Sequence, residues 1–447
     1  MNRLVIVSPH FPPVNAADHQ RVRMSLPFLL KDGWDVDVLA VDDRDVSAPK
    51  ESFLSASIPA TSRIHRCRVP ARLWTRLPGM GSLGYRCLPA MRRELKKLLS
   101  APCHADGQTV VYFSTTQFPV HLLIPEIKSW GRFTVCMDFQ DPWATDYYRQ
   151  HPEMTPPGGR IKFAVSNYLA FRHERKIWPH LDGFTAVSSA YPKQLQRRYT
   201  ESAEKPSLVL PFGATTSDFD ALANSDVRQT CFDPNDGFRH WVYVGRGGAD
   251  MHRATRSLCI AFREAMNTDP ALQKVRLHFI GTDYAAKHRA RASLIEVAED
   301  EGVAANVREY PARIPFSEAL RCLLDADALV VPGSDDPAYT ASKIYPYILA
   351  RKPMLTIFHA SSSIVDLMER TRAASCVTFE SHQPENEIAA KLHRRWFSNS
   401  QYVRQPDTDW EKFAPYTAEH MTRQLSKFLI ERRDATSRHS PAPAATR

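Results

Sequence analysis

Residues 328–358 read ALVVPGSDDPAYTASKIYPYILARKPMLTIF. ALVVP is a short, β-branched, apolar run. A polar loop follows, then an apolar helical face that opens at Lys343 and stops at Pro353, and MLTIF is a second apolar run. Strand, loop, helix, strand is the repeating unit of a parallel sheet covered by helices. Where the loop meets the helix, Tyr339, Thr340, Ser342 and Lys343 sit where free backbone N–H groups can meet an anion, and Lys343 adds a full charge. A phosphate-bearing ligand suits that position. An ordinary capped helix would read the same way.

The same pattern repeats on either side. Before residue 222, apolar runs fall at LVIVSPHF (4–11), DVDVLAVDD (35–43), TVVYFST (109–115), FTVCMDF (133–139), FTAVSS (184–189) and SLVLPF (207–212). A helix is expected over 19–32, with Val22, Leu26, Leu29 and Leu30 on one face. The segment SDVRQTCFDPNDGFRH (225–240) is polar and interrupted by Pro and Gly. The pattern then restarts with HWVYVGRG, VRLHFIGT, VREYP, ALVVPGS and MLTIF, with helices predicted over 254–266, 285–301 and 317–324. A 447-residue chain exceeds one ordinary core, so two doubly wound α/β domains are expected. The predicted layout is an N-terminal Rossmann-like domain over 1–222 and a second over 236–405. A C-terminal helix over 406–432 and a disordered tail over 433–447 complete it. Ligands of such sheets gather at the carboxyl ends of the strands. The loops to read are therefore PHFPPVNAADHQR, STTQF and QDPWATDYY in the first domain, and GRGGADMHR, GTDYA and GSDDPAYTASK in the second.

Composition narrows the function. Hydrophobic and charged contents of 43% and 24% are those of an ordinary globular protein. No apolar run approaches the roughly 20 residues needed to span a bilayer, and the N-terminus lacks a signal-peptide pattern, so a cytoplasmic location is expected. Eight cysteines show no CxxC pair and no zinc spacing. The net charge of +9 is unevenly placed. Between residues 60 and 100, Arg63, Arg66, Arg68, Arg72, Arg76, Arg86, Arg92, Arg93, Lys96 and Lys97 face a single acid, Glu94. Within this patch Leu88, Met91, Leu95 and Leu98 keep helical spacing. An amphipathic basic helix there could dock on an anionic membrane surface or bury its apolar face in its own domain. Nucleic-acid binding lacks aromatic interleaving. An NAD-linked dehydrogenase lacks G-x-G-x-x-G after the first strand.

Several segments resemble the GT-B glycosyltransferases, and within them glycosyltransferase family 4. They are VSPHFPPVNAADHQRVR, DFQDPW (138–143), VLPFGATTSDF (209–219), YVGRGG (243–248), HFIGT (278–282) and YTASKIYPYILARKPML. The resemblance covers roughly residues 3 to 430. It implies two Rossmann-like domains facing a cleft, with the C-terminal helix crossing back to the first. It also implies transfer of a sugar from a nucleotide-sugar donor to a glycan or lipid-linked acceptor, with retention, without a metal ion and with no cofactor beyond that donor. Surface polysaccharide or glycolipid assembly at the inner membrane face is the implied setting. The implied catalytic residues are Asp141, Arg246 and Lys343. Donor binding would fall to Gly245, Gly247, Gly281, Thr282, Asp335, Asp336, Tyr339, Thr340, Ser342 and Tyr345. Acceptor binding would fall to Asn15, Ala16, Arg21, Asp138 and Trp143. Asp141 could equally be a helix cap, and Trp143 could equally fill core. Four positions depart from the family pattern: Pro346 for the ribose-binding Glu, Ala338 for an acid, Met251 for a Lys and Arg351 for a Gly. They keep open a non-catalytic relative that binds a nucleotide-sugar or glycan.

Overall fold

A computed structural model describes residues 2–70, 81–101, 109–150, 156, 159–199, 205–283, 285, 288–336 and 343–438. Tyr339, Thr340, Ser342 and Ala338 lie outside the described residues, as do Arg72, Arg76 and residues 439–447. The chain forms two units, one from Met1–Gly213 with Ala418–Arg447, the other from Ala214–Thr417.

In the first unit the described strands are β1 (Asn2–Val7), β2 (Trp34–Val41), β3 (Arg63–Cys67), β4 (Val110–Ser114), β5 (Thr134–Phe139), β6 (Gly183–Ala186) and β7 (Ser207–Val209). They form one parallel sheet in the order β3-β2-β1-β4-β5-β6-β7. Successive side chains alternate between its faces, so each strand feeds two cores. Val5, Val7, Leu39, Val41, Val111 and Phe113 lie in one core with Met91, Leu95 and Ile124 of the covering helices. Leu4, Ile6, Val36, Val38, Val110 and Tyr112 lie in the other, with Val22, Leu26 and Leu29 of the Gln20–Lys31 helix. The helix Ala418–Arg438 completes that second core through Met421, Leu425, Phe428 and Leu429, and Trp34 Nε1 donates to Ser426 Oγ at 2.8 Å. Four such side chains bury roughly 6–12 kcal/mol of apolar transfer free energy before ordering costs. The C-terminal helix is therefore an integral layer of the first unit, and it runs to Arg438, beyond the expected end at 432.

The second unit has β8 (Arg239–Val244), β9 (Val275–Ile280), β10 (Val307–Tyr310), β11 (Ala328–Pro332), β12 (Met354–His359) and β13 (Ser375–Phe379). Their order is β10-β9-β8-β11-β12-β13, again parallel. The polar stretch near 222–236, read as the domain join, belongs to this unit, which begins at Ala214. Ala214 N donates to Tyr416 O at 2.8 Å, so the entering and leaving strands of chain are tied side by side. Thr230 binds Glu318 through both its N–H and its hydroxyl, laying the stretch on the unit's surface. Two strands, β3 (RIHRC) and β13 (SCVTF), are absent from the sequence reading, and the helix expected over 285–301 shrinks to Ile295–Asp300.

Both sheets reverse direction at one place. In the first, the chain moves outward from β1 to β3 and then crosses back to β4 on the other side of β1. In the second it moves from β8 to β10 and crosses back to β11. The carboxyl ends of β1 and β4, and of β8 and β11, are thus the switch points where doubly wound sheets leave a crevice.

Candidate functional site

At the switch point of the second unit, Arg246 follows β8 and Lys343 follows the β11 loop. Gly247 N donates to Thr282 O at 2.7 Å, which ties the β8 loop to the β9 loop. A Cβ at Gly247 would meet Ser293 Oγ at 2.9 Å and Thr282 Cβ at 3.1 Å, so only glycine fits. Gly281 holds φ +72°, the left-handed turn that leads out of β9. Gly245 N donates to Ile280 O at 2.9 Å. The Thr282 hydroxyl donates to Glu309 Oε1 at 2.5 Å, and the same carboxylate accepts from the N–H groups of Ser293, Leu294 and Ile295. Gly245, Gly247, Gly281 and Thr282 therefore fix the shape of the rim.

Arg246 makes a fork-shaped pair with Asp250, at 3.0 and 2.6 Å. Ser334 Oγ adds a bond to Asp250 at 2.5 Å, and Asp335 N donates to Asp250 O at 2.7 Å. Burial raises the Asp250 carboxyl, but the Arg246 and Ser334 hydrogen bonds outweigh it and hold the group below its ordinary value. Asp335 is raised, first by burial and then by Asp250, against the pull of Arg253 3.3 Å away. Asp336 is exposed and donates its N–H to Ser334 Oγ. Met251, where a Lys was expected, is fully buried, and the neighbouring cation Arg253 is the one that reaches Asp335.

Water reaches Lys343, yet the protein mass around it and the charges of Arg313 and Arg246 push its ammonium pKa down to about 8. A lysine on the wall of a concave surface satisfies both observations. Tyr345, expected at the donor, turns elsewhere. It stacks on Tyr416 at 6.0 Å and meets Phe413 at 6.3 Å, and burial followed by Tyr416 raises its hydroxyl to about 12. Pro346 lies inside the short helix Ile344–Leu349. Arg351 holds φ +56°, a left-handed conformation that glycine adopts without strain, and its guanidinium lies 4.5 Å over Trp410.

At the switch point of the first unit, Arg21 and Asp138, both expected to bind the acceptor, are instead buried against each other. Arg21 Nε donates to Asp138 Oδ2 at 2.6 Å, with side chains 3% and 0% exposed. Arg21 also donates to the carbonyls of Leu210 and Pro211, and Ser114, Thr185 and Gln140 all donate to Asp138. This saturated, buried pair is scaffold beneath the site. Trp143 is also packing: it stacks on Phe118 at 5.5 Å and 8°, with His121 and His173 beside it. Asn15 donates to Glu51 Oε2 at 3.1 Å, and Ala16 is half-buried in the same loop. Asp141 is exposed, and its carboxyl is raised by surrounding protein and by the charge of Asp18.

The sequence reading missed His10 and Asp18. His10 Nδ1 lies 2.8 Å from Asp18 Oδ1, and Asp18 Oδ2 accepts from Thr115 Oγ1 at 2.7 Å. Burial raises the Asp18 carboxyl, but the His10 hydrogen bond and charge and the Thr115 hydroxyl hold it below the ordinary value. An ionised Asp18 accepts a hydrogen bond from His10 Nδ1–H, and in that neutral tautomer Nε2 carries the free lone pair. The signal in the sequence was a His in the first switch-point loop, eight residues before an Asp. The basic patch pairs several of its cations with acids: Arg63 with Asp37, Arg68 with Asp45, Arg92 with Glu126 and Arg93 with Glu94. Its helix, Leu83–Ser100, buries Met91 and Leu95 in the core. Among the described residues no helix is long and apolar enough to cross a membrane.

No family model matches the chain, and no curated protein matches it. Solved structures do. An α,α-trehalose 6-phosphate synthase from Burkholderia multivorans superposes over 100% of both chains, at TM-score 0.57 and 12% identity. The N-terminal domain of a trehalose-6-phosphate phosphatase from Candida albicans covers 97% of each chain, at TM-score 0.56 and 11% identity. Anabaena HepE, solved with UDP and glucose, covers 96% of this chain and 100% of its own, at TM-score 0.52 and 12% identity. At these identities the likeness is one of architecture: the chain has the GT-B fold, two parallel Rossmann-like sheets with the C-terminal helix returned to the first.

Proposed function

We propose that the chain is a glycosyltransferase that moves a sugar from a nucleotide-sugar donor to a glycan or lipid-linked acceptor. What supports this reading is that Arg246 and Lys343 follow neighbouring strands at the second unit's switch point, near enough, with Arg313, for their charges to act on Lys343. Departure of a nucleoside diphosphate loads negative charge on phosphate oxygens, and fixed cations there stabilise the transition state. In the first unit, His10 with Asp18, and Asp141 beside them, are the groups that can bind and deprotonate an acceptor hydroxyl. The family resemblance favours retention, in which the departing phosphate takes that proton, and it favours a metal-independent, cytoplasmic enzyme. The His10–Asp18 pair favours base-assisted transfer, which inverts. Proton NMR of the new linkage distinguishes the two.

The HepE structure was solved with UDP and glucose, which makes uridine sugars the first donors to try. A thermal-shift screen against UDP-, GDP-, dTDP- and ADP-sugars should find one that stabilises the fold by a few kcal/mol at ligand concentrations well above Kd. Loss of that shift in Arg246→Ala and Lys343→Ala ties it to the switch point. If no donor shifts the wild type, the reading fails. Binding with no hydrolysis or transfer across several acceptors favours the non-catalytic alternative, for which Pro346 in place of the ribose-binding acid is the specific support.

A further inference from the structure

The helix Arg160–Ile177 turns apolar side chains outward. Ile161 is 85% exposed, Val165 58% and Tyr168 65%. Steps of four and three along a helix stay on one stripe, so these three share a face. Two more such steps reach Arg172 and Arg175, both exposed. The opposite face carries Ala170, Glu174 and Ile177, all buried. Glu174 accepts there from Arg198 at 2.7 Å and Tyr199 at 2.8 Å, which fixes the helix in this orientation. At its basic end the stripe meets a cavity of 680 Å³ with Leu88, Leu122 and Leu169 on its wall and Arg172, Arg175 and Lys176 at its rim.

We propose that this face seats the chain on an anionic bilayer, with the Ile161–Val165–Tyr168 stripe in the interfacial layer and the arginines on lipid phosphates. Charge selects the occupant. Arg160, Lys162, Arg172, Arg175 and Lys176 are all exposed, whereas the helix's single acid, Glu174, is buried and bonded on the other side. The acid nearest the rim, Glu126, pairs with Arg92 at 2.5 Å. A second copy of this chain would set the same cations against each other, which disfavours self-association. Long cationic side chains beside a short apolar stripe suit a headgroup layer, where the stems stay in apolar surroundings and the charges reach phosphate. The docking surface is thus centred on this helix, the basic segment 60–100 adding only Leu88 and Arg92 at the cavity, and it stands apart from sugar transfer because its readout needs no donor.

The test is co-sedimentation of the full chain with phosphatidylcholine vesicles, with and without phosphatidylglycerol. The wild type should pellet with the anionic vesicles alone. Arg172→Glu/Arg175→Glu should weaken partitioning by roughly 25-fold or more, at about fivefold per cation removed. Ile161→Ser/Val165→Ser/Tyr168→Ser should weaken it by roughly tenfold or more, with unchanged circular dichroism. Lys96→Glu/Lys97→Glu should pellet nearly as the wild type does. Wild type that stays in the supernatant overturns the proposal. So does loss of binding in the Lys96/Lys97 variant while the helix variants still pellet. A dimer in sedimentation velocity that the triple serine variant dissolves would make the face a self-interface and would equally remove it.

Discussion

Replacing Asp138 with Ala separates a scaffold role from a ligand role. The carboxylate is 0% exposed and accepts from Arg21 Nε at 2.6 Å, Thr185 Oγ1 at 2.7 Å, and Ser114 Oγ and Gln140 Nε2 at 3.0 Å each. Its removal leaves the Arg21 guanidinium 3% exposed, with the Leu210 and Pro211 carbonyls but no counter-charge. Breaking a buried pair from one side costs roughly 3–5 kcal/mol. The three lost donors add little, because Gln140 retains Ser114 Oγ at 3.0 Å and Thr185 retains Tyr112 at 2.7 Å. At about 2–4 °C per kcal/mol for a domain of this size, the first unit's transition should fall by roughly 6–20 °C in scanning calorimetry. Arg21→Met/Asp138→Leu should regain much of that loss, since no charge then stays buried. An Asp138→Ala protein that melts within about 2 °C of wild type and instead loses acceptor affinity would refute the scaffold reading, because roughly 3 kcal/mol cannot vanish from a buried ion pair.

Three further outcomes follow from the geometry. Lys343 is protonated below about pH 8 and neutral above it, so calorimetric affinity for UDP should weaken by up to ~tenfold per pH unit beyond that point, and Lys343→Met should flatten the profile. In the base-assisted reading His10→Ala lowers kcat by roughly 10²–10⁴-fold and the product is inverted; a retained linkage with less than ~tenfold loss assigns the proton to the diphosphate. A Cβ at Gly183 meets Phe428 Cζ and Arg432 Cδ at 2.9 Å each, so Gly183→Val should unseat the C-terminal helix and cost roughly 1–3 kcal/mol in urea unfolding.

What the sequence made legible was local. The runs LVIV, VVYF and ALVV announce strands because a doubly covered parallel strand is apolar along its whole length. Arg246 stands just after β8 and Lys343 where the loop after β11 meets its helix, so both fall on the carboxyl-end side of neighbouring strands. What escaped was settled by partners far along the chain. Arg21 and Asp138 lie 117 positions apart, and each reads as an available polar group until the other is seen. The edge strand β3 offers no apolar run: Arg63 and His65 are held by Asp37 across the ladder, so charge pairing does the work that burial does elsewhere. Tyr345 keeps the right place in its motif, and its ring packs with Phe413 and Tyr416, about 70 positions further along the chain.

The same contrast explains why a net charge of +9 says little about where an anion binds. Between residues 60 and 100, Arg63, Arg68, Arg92 and Arg93 have acids within reach, and folding pairs them. At the second unit's switch point Arg246 also has its acid, Asp250, and yet three cations still lie close enough for their charges to act on one another. Burial lowers the Lys343 pKa first, and the charges of Arg313 and Arg246 add to it. Like charges held together work against folding, so a chain that keeps them there does so at the expense of its own stability. An anion that bridges them relieves the repulsion, and a pyrophosphate, with charge spread over two linked phosphates, can meet more than one cation at once. Crowding of like charge at a strand end, rather than the number of basic residues, is thus what supports the proposed diphosphate position.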